Sequence, residues 1–253
     1  MATDVQVTNS TTITALTPAH SPMVEDVKVT NPDYQASTLS GAYTYMVGSG
    51  IAFVQVAFRT SSSTSSIAPQ FPLPQRAGDL NIVVVGWNDA TSTITSVTDS
   101  SGNSYALAAP LVTGTNLRQA IYYAKNISQV HSNTVTVNFN QNASFVDVRI
   151  LEYAGLDTVN PLDASNGSSG KGLTATSGPF TTTAANDLVL GADTVNYHTL
   201  STGSGYTPIV FTRYFNIAEH LITSKQGTFN PSANLAGIGP WVMQGVAFKA
   251  AVQ

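Results

Sequence analysis

Glu219-His220 is the one place in this chain where a carboxylate and an imidazole are adjacent. Neighbours on a strand point to opposite faces, so the pair is not expected to act on one bound group. The other histidines, His20, His131 and His198, show no metal-ligand spacing. A serine nucleophile needs a Gly-x-Ser-x-Gly elbow, which is absent, and Gly203-Ser204-Gly205 is too short and reads as a turn. Gly167-Ser168-Ser169-Gly170-Lys171-Gly172 looks like a phosphate loop, but it lacks the four-residue spacer and has Gly where a magnesium-binding hydroxyl belongs. It is read as a surface loop. Asp99 and Asn103 are candidate calcium ligands, although two oxygens fall short of a calcium cage, and the ordinary reading is an Asx-stabilised turn. Glu152 lies in phase with Val146, Val148 and Ile150, a face that should be buried. A buried acid must be paired or protonated. An isopeptide crosslink using Lys125 or Lys249 is one outcome, and a strand end emerging into solvent is the preferred one.

Binding chemistry is better supplied. Sugars are recognised by aromatic rings on the apolar face of a pyranose and by amides or carboxylates on its hydroxyls. Trp87-Asn88-Asp89 offers that combination at a strand end, with Tyr122 and Tyr206 as further candidates and Tyr123, Tyr197 and Trp241 behind them. The competing reading is that both tryptophans are core or rim packing.

The elements that must position these residues are strands. Charged residues make up only 9% of the chain, and Ser, Thr, Asn and Gly replace them. Helical surfaces are normally built from Glu, Lys and Arg, so β-structure is expected throughout. Short apolar runs separated by Gly/Asn/Ser turns appear at 79–89, 92–107, 117–127, 133–140 and 145–156, then at 178–182, 186–197, 206–213, 217–227 and 240–250. The spacing predicts an antiparallel β-sandwich of jelly-roll type over 75–253, joined by the strand 51–58. Residues 47–74 are read as a linker with that strand and a Ser/Thr/Pro-rich loop, and 160–178 as another loop. Parity assigns Val135, Val137 and Phe139 to one buried face. It sets Val242, Val246 and Phe248 opposite Trp241, Met243 and Ala247. Ala77-Gly78-Asp79-Leu80 is echoed by Ala185-Asn186-Asp187-Leu188, and Gly102-Asn103-Ser104-Tyr105 by Gly203-Ser204-Gly205-Tyr206. Duplication or convergent corners would both explain the echoes.

The first 46 residues form a separate segment. Val27 and Val29, the turn Asn31-Pro32-Asp33, then Leu39, Tyr43 and Tyr45 read as a closing hairpin. Together with VTNSTTITALTPAH at 7–20, this resembles the C-terminal half of an IPT/TIG domain, an immunoglobulin-like repeat of bacterial surface proteins. The resemblance implies that the chain starts inside such a module, with more of it upstream or with Met1 an added start. GDLNIVVVGWND, SVTDSSGNSY, IYYAKNI, LEYAGL and WVMQGVAFK resemble β-rich modules of large bacterial extracellular proteins. That likeness implies location and architecture and no chemistry.

A net charge of −4 without a basic run gives no footprint for nucleic acid. The absence of cysteine excludes disulfides and thiolate metal sites. No apolar stretch reaches membrane-span length, and the first ten residues lack a signal-peptide pattern. The expectation is a non-catalytic extracellular or cell-surface module, bacterial or phage-borne, for adhesion, display or carbohydrate binding. No cofactor is expected beyond structural calcium, and the partner is a glycan or another surface protein. One alternative is a structural subunit that self-associates through residues 1–46 by strand donation into a fibre. Another is a polysaccharide- or ester-active hydrolase.

Overall fold

A computed structural model describes residues 2–17, 23–45 and 50–251. They fall into two units, Met1–Gly48 and Ser49–Val252, close to the expected boundary. Among the described residues there is no helix, and all strand pairing is antiparallel, as the low charge and the β-branched runs predict.

The first unit consists of two hairpins. β1 (Thr3–Asn9) pairs with β2 (Thr12–Leu16), and the Asn9 side chain accepts from the Thr11 amide across the turn. β3 (Met23–Thr30) pairs with β4 (Ala36–Tyr45) about the expected turn, where the Tyr34 amide donates to the Asn31 carbonyl. A Thr17–Tyr43 hydroxyl contact of 3.3 Å links the hairpins. Their alternating apolar residues are exposed, among them Val7 at 73% and Leu39 at 69%.

The second unit contains two sheets built alike. β5 (Ala52–Ile67), β6 (Leu80–Trp87), β7 (Ile94–Asp99), β8 (Ala106–Thr113), β9 (Arg118–Ala124) and β10 (Val135–Ala154) form one sheet in the order β5-β10-β6-β9-β8, with β7 also on β10. β11 (Leu162–Thr176), β13 (Asp187–Val195), β14 (Thr199–Thr202), β15 (Thr207–Phe211), β16 (Ile217–Thr223) and β18 (Ser232–Lys249) form the other, in the order β11-β18-β13-β16-β15, with β14 on β18. The short β12 (Phe180–Thr181) and β17 (Thr228–Phe229) pair separately. Strand for strand the two orders are the same. Both echoed phrases occupy equivalent places, one before β6 and β13, the other in the turns before β8 and β15.

Two regions expected to be loops are strands. The Ser/Thr run at 59–67 belongs to β5, which pairs with β10 along its length, and 162–176 is β11, paired with β18. Both lie at the edge of their sheet.

The face between the sheets is filled by Leu80, Ile82, Val84, Leu151 and Tyr153 from one side and Leu188, Leu190, Val246 and Phe248 from the other. β10 is long enough to pair with β6 through one half and β7 through the other, so its first half folds back over the outer face of its sheet. Val135, Val137 and Phe139 then meet Val83, Val85 and Trp87 in a core of their own. β18 does the same in the second sheet, where Ala233 and Leu235 join Trp241 and Met243. The expected parity of both strands holds. Gly86 marks a close approach of β6 to β13, since a Cβ there would collide with the Thr194 hydroxyl.

Candidate functional site

β6 and β13 end at equivalent points, and the residue after each is an asparagine. The Asn88 side-chain Nδ2 donates to the Asn196 side-chain Oδ1 at 3.3 Å, bridging the two sheets at one end of the sandwich. Around this bridge lies an open cleft of about 420 Å³. Phe145 on β10 forms one wall; Tyr214 and Phe215, in the turn from β15 to β16, and His198, ahead of β14, form the other.

The rings are held in two pairs. Phe145 and Tyr214 meet edge to face at 5.7 Å and 71°, and His198 stacks on Phe215 at 3.8 Å and 22°. Phe145 is 51% exposed and Phe215 44% exposed. Both also adopt left-handed backbone, with φ of 47° and 60°. A bulky residue pays about 1–3 kcal/mol for that conformation, and such strain clusters at functional sites. Local pairing keeps it in place. The Phe215 amide donates to the Thr212 carbonyl at 3.0 Å and the Thr199 amide to the Phe215 carbonyl at 3.1 Å. On the other wall, the Asn88 amide donates to the Ser144 carbonyl at 2.8 Å.

The floor is a buried polar network. Asn216 donates to the Asp147 carboxylate at 2.8 Å and accepts from the Val195 amide at 3.0 Å, and the Thr212 hydroxyl also donates to Asp147. Arg149 faces Asp147 at 3.4 Å with both side chains fully buried. Its remaining nitrogens cross to the other sheet, donating to the Ile217 carbonyl at 2.6 Å and the Asp193 carbonyl at 2.8 Å, and one of them also donates to Gln119 of its own sheet at 3.2 Å. Asp193 accepts from the Ile217 amide at 2.7 Å and the Thr199 hydroxyl at 2.6 Å. Burial pushes the Asp193 carboxyl up to about 6, against the pull of those donors and Arg149. These bonds fix the turn that carries Tyr214 and Phe215.

Of the residues expected to bind a ligand, only Asn88 lines the cleft. Trp87 is a correction: the side chain is fully buried and packs on Phe139 at 5.4 Å and 72°, so it cannot stack on an external ring. It alternates with Gly86, which faces the opposite sheet, and therefore points into the outer core. Asp89 is turned inward as well, accepting from the amides of Thr91, Ser92 and Ser144 and from the Ser92 hydroxyl. Those donors outweigh its partial burial and hold its carboxyl below the usual range. Tyr122 is half-buried against the core around Val83, and Tyr206 against Phe180 and Val189; burial pushes both phenols up. Tyr123 packs on Phe248 beside the core between the sheets, Trp241 is buried in the outer core of the second sheet, and Tyr197 lies exposed against Gly237 and Gly239.

Asp99 and Asn103, the calcium candidates, form the Asx turn that is the ordinary reading of their phrase. Asp99 is filled by protein donors: the amides of Ser101 and Asn103, the Asn103 and Asn133 side chains, and the Tyr105 hydroxyl. Hydrogen-bond donors aimed at a carboxylate make the Asx turn and leave it no lone pairs for a cation. Among the described residues no cluster of three or more acidic, His or Cys side chains could hold a metal.

Glu219 and His220 point apart, as a strand requires. Glu219 accepts from the amides of Gly203 and Ser232 under the outer face, where burial pushes its carboxyl up to about 8. His220 meets the Tyr153 hydroxyl at 2.9 Å, and burial lowers it. Glu152 does not emerge into solvent. It is fully buried, accepts from Gln55, and lies close to Asp79, whose carboxyl is pushed up to about 7 by burial and by Glu152. Lys125 instead donates to the Val159 carbonyl. A second depression of about 640 Å³, lined by Phe53, Leu73 and Arg76, opens over Asp79.

The sequence reading missed Phe145, His198, Arg213, Tyr214 and Phe215. One signal was available: the phrase Arg213-Tyr214-Phe215-Asn216 puts two consecutive aromatics in a tight turn, where Gly, Asn, Asp or Ser would be expected. Compared with known protein families, curated proteins and solved structures, the chain matches none.

Proposed function

We propose that this chain is a non-catalytic, glycan-binding β-module displayed outside a bacterial cell or on a phage particle, with the cleft at Asn88 and Asn196 as its site. One observation carries the reading. Exposed aromatic rings and three asparagine side chains line a single open cleft on a rigid floor. Rings supply the apolar platform for a pyranose, amides supply donors and acceptors for its hydroxyls, and rigid support lowers the ordering cost of binding. Among the described residues, no Asp or Glu lines the cleft to work with His198 as an acid–base pair. The low charge, the hydroxyl-rich surface and the IPT/TIG resemblance support the location.

The test is a glycan array followed by calorimetry on hits. Phe215→Ala should weaken binding at least about tenfold, the loss of one stacking platform, with an unchanged circular dichroism spectrum. An array without hits sinks the reading.

A second reading, assembly through residues 1–46, is favoured by the exposed apolar side chains of the two hairpins, Val5, Val7, Val27, Val29 and Leu39 among them. Unsatisfied strand edges and apolar faces of this kind invite pairing with another chain. Concentration-dependent association in sedimentation velocity, lost on deleting residues 1–46, is the expected result. A monomer at all concentrations overturns it.

A further inference from the structure

Among the described residues, Arg213 is the only Lys, Arg, Asp or Glu side chain lining the proposed glycan cleft. It is exposed, and among the described residues no hydrogen bond or ion pair holds it. Arg76, outside this cleft in the depression over Asp79, likewise has no hydrogen bond or ion pair among the described residues, but the remaining guanidiniums are occupied. Arg149 is held by Asp147 and two carbonyls, Arg118 by the carbonyls of Ser92 and Ala90, and Arg59 by the Ala68 carbonyl. The carboxylate beneath the cleft cannot serve Arg213, because Asp147 is already taken by Arg149, Thr212 and Asn216. The cleft therefore offers one free cation beside a set of rings and amides. The chain as a whole is negative, at −4, so an anion gains nothing from long-range steering and must be held by a local contact.

We propose that this cleft selects saccharides bearing a carboxylate, of the uronate or sialate class, with Arg213 receiving the carboxylate while the aromatic walls take the sugar ring. The proposal rests on the glycan-binding reading and names its ligand class. A planar guanidinium presents two parallel N–H groups that match the two oxygens of a carboxylate. A single cation balances a single negative charge, whereas a phosphate dianion would leave charge unpaired. Arg213 directly precedes Tyr214 in the chain, so the anion contact and the aromatic wall are carried on one fixed turn.

Calorimetry on the full chain tests this with an oligogalacturonate and sialyllactose, the methyl ester of each, a sulfated oligosaccharide and poly-glutamate. At least one of the two acids should bind about tenfold or more tighter than its own ester, the usual worth of a charge-assisted hydrogen bond. Arg213→Gln should bring acid and ester level, and Phe215→Ala should weaken both while keeping their ratio. Equal binding of acid and ester overturns the proposal. So does a preference that survives Arg213→Gln, or tighter binding of the sulfated sugar or poly-glutamate. If neutral esters bind in a Phe215-dependent way with no preference for acid, this inference falls and the glycan reading stands. If no saccharide binds at all, both fall.

Discussion

Arg149 and Asp147 sit two positions apart on β10, fully buried, and their roles differ because their reach differs. Asp147 accepts from Thr212 and Asn216 and so holds the cleft turn, whereas Arg149 spans to backbone carbonyls on β13 and β16. Removing one partner of a buried pair leaves the other charge uncompensated, at a cost of about 3–5 kcal/mol. Arg149→Met should destabilise by that order in urea unfolding, and more at pH 8 than at pH 5. Near pH 5 protonation of Asp193, whose carboxyl is already raised to about 6, relieves part of the loss. An equal loss at both pH values would mean that Arg149 acts by packing alone. The site was legible at this scale only where alternation decides orientation. Asn88 follows a strand and could be placed, but parity alone could not separate Trp87 from the surface, because β6 is covered on both faces. Phe145 and Phe215 escaped because left-handed backbone at a phenylalanine has no signature in residue type.

β5 and β11 explain why the strand map was incomplete. Hydroxyl-rich runs resemble linkers when judged by side chain, yet an edge strand needs only backbone pairing on one flank, and small polar residues on the other discourage aggregation. The apolar strands β6, β10, β13 and β18 were legible because burial on one or both faces imposes a pattern. Asp79 and Asp187, at the starts of β6 and β13, occupy equivalent places, and each faces another carboxyl. Burial and Glu152 raise Asp79 to about 7; burial and Asp163 raise Asp187 to about 7. With Glu219 at about 8, these groups stay protonated in the fold at pH values where an unfolded chain, titrating near its ordinary value of about 4, has lost the proton. The folded state then binds more protons, so stability falls as pH rises from about 4 through about 8. Asp26, Asp157 and Asp163 are lowered by hydrogen bonds and act oppositely, contributing stability that is lost only below the ordinary carboxylate range. The melting temperature should therefore peak near pH 4–5 and drop by about 5 °C or more by pH 8.5. Asp79→Asn, which keeps a donor toward Glu152 but cannot titrate, should flatten that slope. A melting temperature that rises between pH 5 and 8.5 would contradict the assignment.

Two sheets with the same strand order, meeting at Leu80–Tyr153 in one register and Leu188–Phe248 in the other, are what a duplicated unit would produce. The halves have nevertheless become dependent on each other. Each has an outer core of its own, but Ile82, Val84 and Leu151 are buried only by packing with Leu188, Leu190 and Val246 from the other half. Fully burying side chains of this size is worth about 1.5–3 kcal/mol each, and Arg149 and Gln119 add polar bonds that a separated half could not make. By contrast, the hairpins at residues 2–45 bury no side chain that has been described. These facts predict different results from two cuts. Deleting residues 1–48 should leave a single cooperative unfolding transition within about 2 °C of the parent, because little apolar burial is lost. Cutting at Asp157 and expressing residues 49–157 alone should expose the inter-sheet face and give a chain that associates or binds a hydrophobic dye, with no cooperative melt as a monomer. If residues 49–157 instead formed a stable monomer with a sharp transition, its outer core around Trp87 would suffice. The two sheets would then be independent domains in contact, with the cleft at Asn88 and Asn196 a junction between them.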